Sequence, residues 1–229
     1  FLMLVNKIVP SNIEGLNQVF VRDISFAIEN KLKSKEENMA GKQAKVLGPR
    51  CVERLLRHVG KNRYPTRDRA IVLLSVKAGL RAGEIANLTW SMILNSEGKV
   101  GRVIELHDLA AKKGRGRSIP IHPDLKKTLA KLLTKAGPDG PAIRSESGGP
   151  MKPNSIINWF GKHYRQVGLA GCSSHSGRRT FITNAARKVH LAGGSLRDVQ
   201  QLAGHRSIDM TQRYIEGDTD AKRRLVAMI

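Results

Sequence analysis

Acidic residues, cysteines and long apolar runs are scarce in this chain of 229 residues, and each scarcity excludes something. Two isolated cysteines, Cys51 and Cys172, are too few for a disulfide framework or a zinc site, and they read as reduced, buried thiols. The longest apolar runs, such as Ala70 to Val76, fall far short of a membrane span. The N-terminus lacks the basic flank and cleavage signal of an export peptide, so the expectation is a soluble, cytoplasmic protein with no membrane partner. No histidine pair has zinc-ligand spacing, and His58, His107, His122, His163 and His190 read as surface or core residues. The chain has no internal repeat and no heptad array.

Basic residues, by contrast, are abundant. Forty Lys and Arg against 19 Asp and Glu leave a net charge of +21, and a chain of this size needs a polyanion to offset that self-repulsion. Nucleic acid is the first candidate, ahead of a solvated cationic surface. An anionic membrane ranks lower because no basic amphipathic helix stands out.

Apolar periodicity divides the chain near residue 44. In 1–44, Ile13, Leu16, Phe20, Ile24, Ala27 and Ile28 recur at helical steps, and 31–38 is a charged linker. Over 45–229 the pattern is mainly α with a small antiparallel β-sheet, an α+β domain. A short helix carries Val52, Leu55, Leu56 and Val59 and closes at Gly60, and a denser one from Ala70 to Val76 ends near Gly79. The turn there delivers Arg81 to the start of another helix. Met92–Leu94, Val103–Leu106 and Ser118–Ile121 read as short strands, Pro120 marking an edge or a strand end. Between the last two runs lies a basic, flexible loop with Lys112, Lys113, Arg115 and Arg117. A helix from Leu125 to Ala136 follows, with solvated lysines on its wet side, and 137–153 reads as a surface loop rich in Gly, Pro and Ser. Two helices follow, one holding Ile156, Phe160 and Tyr164 and one holding Phe181, Ile182 and Ala186. A capping box at Ser195 and Asp198 opens the next, which stops at Gly204.

Six residues suit one chemistry: Arg81, Lys112, His175, Arg178, His205 and Tyr214. A phosphodiester under attack gathers charge on its non-bridging oxygens, and planar guanidinium forks neutralise that charge with directed bonds. The phenol of Tyr214 has an ordinary pKa of about 10, so it needs nearby cations or a base to become nucleophilic. Imidazole holds or accepts a proton near neutrality without large tuning. Tyr64, before Pro65, and Tyr164, on an apolar helix face, suit packing better than attack.

Gly79-Leu80-Arg81-Ala82-Gly83-Glu84, His175-Ser176-Gly177-Arg178, Leu202-Ala203-Gly204-His205 and Tyr214, in that order, resemble the tyrosine recombinase (phage integrase) family over about residues 45–216. The resemblance implies the catalytic domain of a DNA breaking and rejoining enzyme that acts through a 3′-phosphotyrosyl intermediate without metal, ATP or other cofactor. It implies proton transfer by His175, a bond from His205 to the scissile phosphate, and support of Arg81 by Glu84. It also implies a general-acid lysine on the turn before the Ile-Pro strand. Counting back eight positions from Pro120 selects Lys112, with Lys113 as its competitor. Lys113, Arg115, Arg117 and Arg179 are expected DNA contacts. The implied partners are double-stranded DNA, further copies forming a dimer to tetramer on it, and accessory DNA-binding proteins.

Family members carry a helical core-binding domain in front, for which 44 residues are too few, so weaker and more salt-sensitive DNA binding is expected. The tail after Asp220 docks either on a neighbouring protomer or on its own domain. A type IB topoisomerase and a non-catalytic DNA-binding regulator are the alternatives, and the Leu-Ala-Gly-His segment and its spacing to Tyr214 favour the recombinase.

Overall fold

One helix is buried on every side and the rest of the domain is arranged around it. In the computed structural model, which describes residues 44–107, 116–214, 223 and 226–229, helix α2 (Pro65–Lys77) buries each residue from Ala70 to Val76. A helix that is apolar all round belongs inside a core rather than at its edge. Packed against it are α1 (Pro49–Val59), α3 (Ala82–Ala86), α4 (Pro123–Ala136) and α6 (Ser176–Lys188), while α5 (Pro153–Gln166) packs on α1 and α3. Helices α7 (Leu196–Ala203) and α8 (Ile208–Gln212) complete the described helices. α7 touches α6, α8 and the sheet.

Proline starts many of these elements. α1, α2, α4 and α5 each open with Pro at the first helical position, where the missing N–H costs no hydrogen bond and the fixed φ already suits the helix. Inside α5, Phe160 and Tyr164 stack, and His163 reaches α1 through a 3.1 Å contact from Nδ1 to His58 Nε2. Both histidines are structural, as expected of them.

The sheet has two antiparallel strands, β1 (Val103–Leu106) and β2 (Arg117–Pro120), in a register that pairs Val103 with Pro120 and Leu106 with Arg117. Ile104 and Ile119 face the core. The fold is thus mostly helical with a small antiparallel sheet, as the sequence implies. No helix among the described residues is long and apolar enough to cross a membrane.

Three expectations need correction. Met92–Leu94 is not a strand: Trp90–Met92 forms a 3-10 turn, and only Leu94 makes a single bridge, to Val100. Trp90 is fully buried, and seating it in the core takes precedence over the β preference of its neighbours. The 137–153 segment is not simply a surface loop, because Ala142, Ile143 and Met151 are buried and bridges join Thr89 to Pro141 and Arg144 to Pro150. Gly60 closes α1 as expected, in a right-handed conformation with φ −64°. Cys51 and Cys172 are free thiols, but half-buried rather than buried. The helix expected at 13–28 and the tail beyond Asp220 lie largely outside the described residues.

Two apolar clusters result. The main one is built on α1 to α5 and the sheet, and a smaller one holds Ile182, Ala186, Val199 and Ala203 with Phe181 and Tyr214 packed against it. The seam between them passes Gly79. Its φ of +67° is left-handed, and the Phe181 ring occupies the space a side chain there would need. This turn brings Arg81 out of the core helix toward the smaller cluster.

Candidate active site

Arg81 caps the short helix α3 with extended backbone, and Glu84, one turn on, holds it twice. The Arg81 backbone N–H donates to Glu84 Oε2 and its Nη1 to Oε1, both at 2.8 Å. Arg117, from the start of β2, meets the same carboxylate end-on, Nη1 to Oε1 at 2.9 Å and Nη2 to Oε2 at 3.0 Å. Burial pushes against the Glu84 charge, yet the bonds and charges of Arg117, then of Arg81, prevail and bring the carboxyl to about 2. Glu84, which the family resemblance names as the support of Arg81, lies against it through its two 2.8 Å bonds.

Arg178 lies in the first turn of α6, buried, and ties two other segments together. Its Nη1 donates to the Gly79 carbonyl at 2.7 Å and its Nη2 to the Ala203 carbonyl at 2.6 Å. Burial, then the positive charge of Arg81, lowers it to about 9, which leaves it a cation at neutral pH. Arg179 is half-buried, with its guanidinium carbon 5.6 Å from the centre of the Tyr214 ring.

α7 opens with the expected capping box, Asp198 Oδ2 accepting from the Ser195 N–H and hydroxyl, and stops at Gly204, whose φ is +62°. That left-handed turn sets His205 behind the helix end. The His205 N–H bonds to the Gln200 carbonyl, and Gln200 Nε2 donates back to the His205 carbonyl, each at 3.1 Å. Its ring Nδ1 lies 2.8 Å from Thr211 Oγ1 on α8. Burial first, then Arg178, Arg81 and Arg117, lower the imidazole to about 4, so it is neutral at pH 7. Just past α8, the Tyr214 ring stacks on His205 with centroids 5.5 Å apart and planes 23° from parallel.

Arg81, Glu84, Arg178, His205 and Tyr214 therefore come together from α3, α6 and the segments that follow α7 and α8. His175 is the exposed N-cap residue of α6, about one helical turn before Arg178. Lys112, Lys113 and Arg115 lie outside the described residues. Arg117 is a correction: the side chain, 8% exposed, points inward to Glu84 and to the Leu202 carbonyl, not outward from a flexible loop. The signal lies in the alternation of β2, which puts Arg117 on the same face as the buried Ile119 once the strand includes residue 117. Sequence reasoning also missed Thr211 and Gln200, the two side chains that orient His205. No motif marks either.

Such an arrangement places two guanidinium groups, a neutral imidazole and a phenol around one region, a set suited to an anion under nucleophilic attack.

Comparison with known proteins agrees with that chemistry. The model described as "Phage integrase family" matches residues 45–220. The tyrosine recombinase XerC of Methylobacterium sp. (strain 4-46) is 29% identical over 158 residues, 67% of this chain and 46% of that protein. The tyrosine recombinase XerA of Pyrococcus furiosus is 28% identical over 167 residues, 71% of this chain and 54% of that protein. This chain thus spans about half the length of the curated relatives it matches. Among solved structures, the XerA recombinase aligns with a TM-score of 0.64 at 23% identity, covering 80% of this chain and 64% of that one. The Tn1549 transposon integrase in complex with a circular intermediate DNA aligns at 0.62 and 19%, covering 80% and 65%. A lambda integrase dimer bound to a core site aligns at 0.58 and 22%, covering 75% and 47%. At these identities the structures show a shared fold.

Proposed function

Because this chain belongs to the phage integrase family, we propose that it is a site-specific recombinase that cleaves and rejoins double-stranded DNA through a covalent bond between Tyr214 and a 3′ phosphate. The observation that carries this reading is the convergence of Arg81, Arg178 and His205 beside the one tyrosine whose ring stacks on that group. Tyr164 is a poor rival, because its hydroxyl is buried and burial raises its pKa.

Tyr214 Oη attacks the phosphorus, the bond to the 5′ oxygen breaks, and the strand end remains on the enzyme as a phosphotyrosine. His175, as the family resemblance implies, receives the phenolic proton. The departing 5′ oxygen takes a proton from Lys112 and leaves as a hydroxyl. Arg178 commits two of its five N–H donors to the Gly79 and Ala203 carbonyls and turns others to the non-bridging oxygens. Arg81, braced by Glu84, supplies the second cation. The neutral His205 accepts the Thr211 hydroxyl proton at Nδ1 and donates from Nε2 to the phosphate. A hydroxyl of the partner strand then displaces the tyrosine. One phosphate ester replaces another at each step, so no nucleotide is hydrolysed. The strand exchange takes place between copies bound to DNA as a dimer or tetramer, in the compartment that holds the DNA.

The test is a nicked duplex that traps the cleaved state. Wild type gives a covalent adduct on denaturing gels and Tyr214→Phe gives none. An adduct that survives in Tyr214→Phe contradicts the reading, and adducts with every unrelated duplex point to a relaxing topoisomerase. Lys112→Ala slows cleavage by about 10²- to 10⁴-fold and Lys113→Ala far less. Equal, modest losses in both remove the general-acid assignment.

A further inference from the structure

All three guanidinium nitrogens of Arg117 make hydrogen bonds inside the protein. Nη1 and Nη2 grip the two oxygens of Glu84, and Nε donates to the Leu202 carbonyl at 3.0 Å. We propose that Arg117 is a positioning residue for strand transfer, which locks Glu84 to the end of α7 and so fixes Arg81 and His205 relative to each other without touching DNA. The inference rests on the function proposed above.

Each Glu84 oxygen is held by both arginines: Oε1 accepts from Arg81 Nη1 and Arg117 Nη1, and Oε2 from the Arg81 N–H and Arg117 Nη2. With two such donors on each oxygen, the carboxylate has one orientation. Charge points the same way. Glu84 beside Arg81 alone forms a neutral pair, and a neutral pair offers little to a phosphate. Arg117 brings the trio to one net positive charge, restoring to Arg81 the attraction that Glu84 would cancel.

The third bond reaches the other half of the site. Leu202 precedes Ala203, whose carbonyl holds Arg178, and His205 follows two residues later. One side chain thus links β2, α3 and α7. Gly204 makes room for it: a side-chain carbon there would stand 3.1 Å from Arg117 Cδ and Nη1. Lysine, with its donors on a single nitrogen, cannot span two carboxylate oxygens and a carbonyl at once.

The experiment uses the full chain with Arg117→Lys and Arg117→Gln, each checked for folding by thermal melting. Single-turnover cleavage of the nicked duplex is measured beside equilibrium binding to the same duplex over a range of salt, in a Tyr214→Phe background. Both variants are expected to cleave about a hundredfold more slowly, the cost of roughly 1 Å of misplacement, with the salt slope of DNA binding unchanged in both and the affinity unchanged in Arg117→Lys, which keeps the charge. In Arg117→Gln the His205 titration midpoint, followed by NMR, rises only slightly from about 4, because burial, Arg178 and Arg81 depress it more than Arg117 does. A salt slope smaller by about 0.9, the mark of one lost phosphate contact, overturns the inference, as does wild-type cleavage by Arg117→Lys. Should Arg117→Gln not fold, Arg117→Lys, which keeps the charge, decides the matter. Wild type that forms no adduct on any duplex defeats the strand-transfer reading itself. An active wild type with a fully active Arg117→Lys defeats the positioning role alone.

Discussion

At neutral pH His205 carries no charge, because burial and the cations Arg178, Arg81 and Arg117 all oppose a proton there. The unfolded chain binds that proton near 6.5 and the native one only near 4. The residue's contribution to stability is therefore complete above about pH 6.5 and lost as pH falls toward about 4. NMR titration of the ring is expected to place its midpoint near 4, and a midpoint at or above 6.5 contradicts the convergence of cations. Glu84 acts in the same direction at lower pH, where stability present above its ordinary 4.5 disappears as pH falls toward about 2. Replacing it with glutamine leaves the buried guanidinium of Arg117 and the half-buried one of Arg81 without their counter-charge. Glu84→Gln is expected to cost about 3–5 kcal/mol at neutral pH, read from denaturant midpoints, and to remove the acid-dependent loss between pH 4.5 and 2.

The first turn of α6 passes close over α2, where Gly177 lies on Ser75 and Val76 with no space for a further carbon. Gly177→Ala is expected to destabilise the domain by about 1–3 kcal/mol and to shift Arg178, its neighbour, out of place. A melt unchanged from wild type contradicts that crossing. Elements of this kind were legible from their apolar patterns: α2 follows from its dense apolar run, α4, α5 and α6 from apolar residues repeating on one face, and Gly79 and Gly204 from the turns they punctuate. Other parts depend on contacts across the chain that no local pattern carries. Trp90 draws its neighbours into a 3-10 turn because the core has a place for it, and Ile143 buries a segment whose composition reads as solvent-exposed. The same holds within the site. Arg81, Arg178, His205 and Tyr214 stand out through their order, whereas Thr211 matters only once α8 folds beneath His205. Arg117 was hidden by its basic neighbours and by a strand read as starting at Ser118, since only a strand that includes residue 117 puts it on the face of Ile119.

At the scale of the molecule, a net charge of +21 dominates encounter with a polyanion. Counterion release makes such binding steeply salt-dependent, and a face that neutralises six to ten phosphates loses affinity by roughly 10³- to 10⁵-fold between about 50 and 200 mM salt. A titration of Tyr214→Phe with duplex DNA is expected to fall in that range, and a flat salt response contradicts DNA as the partner. In the proposed function the charge brings DNA to the protein, and the two clusters, meeting at the Gly79 turn, place cations from distant parts of the chain beside a single phenol.

The central claim is that this phenol is the group that attacks. Trapping the cleaved complex on a nicked duplex, digesting both components and mapping the residual nucleotide by mass spectrometry reads the attachment point directly. The account predicts a nucleotide on the peptide containing Tyr214 and on no other. A nucleotide on Tyr64, Tyr164 or any serine contradicts it.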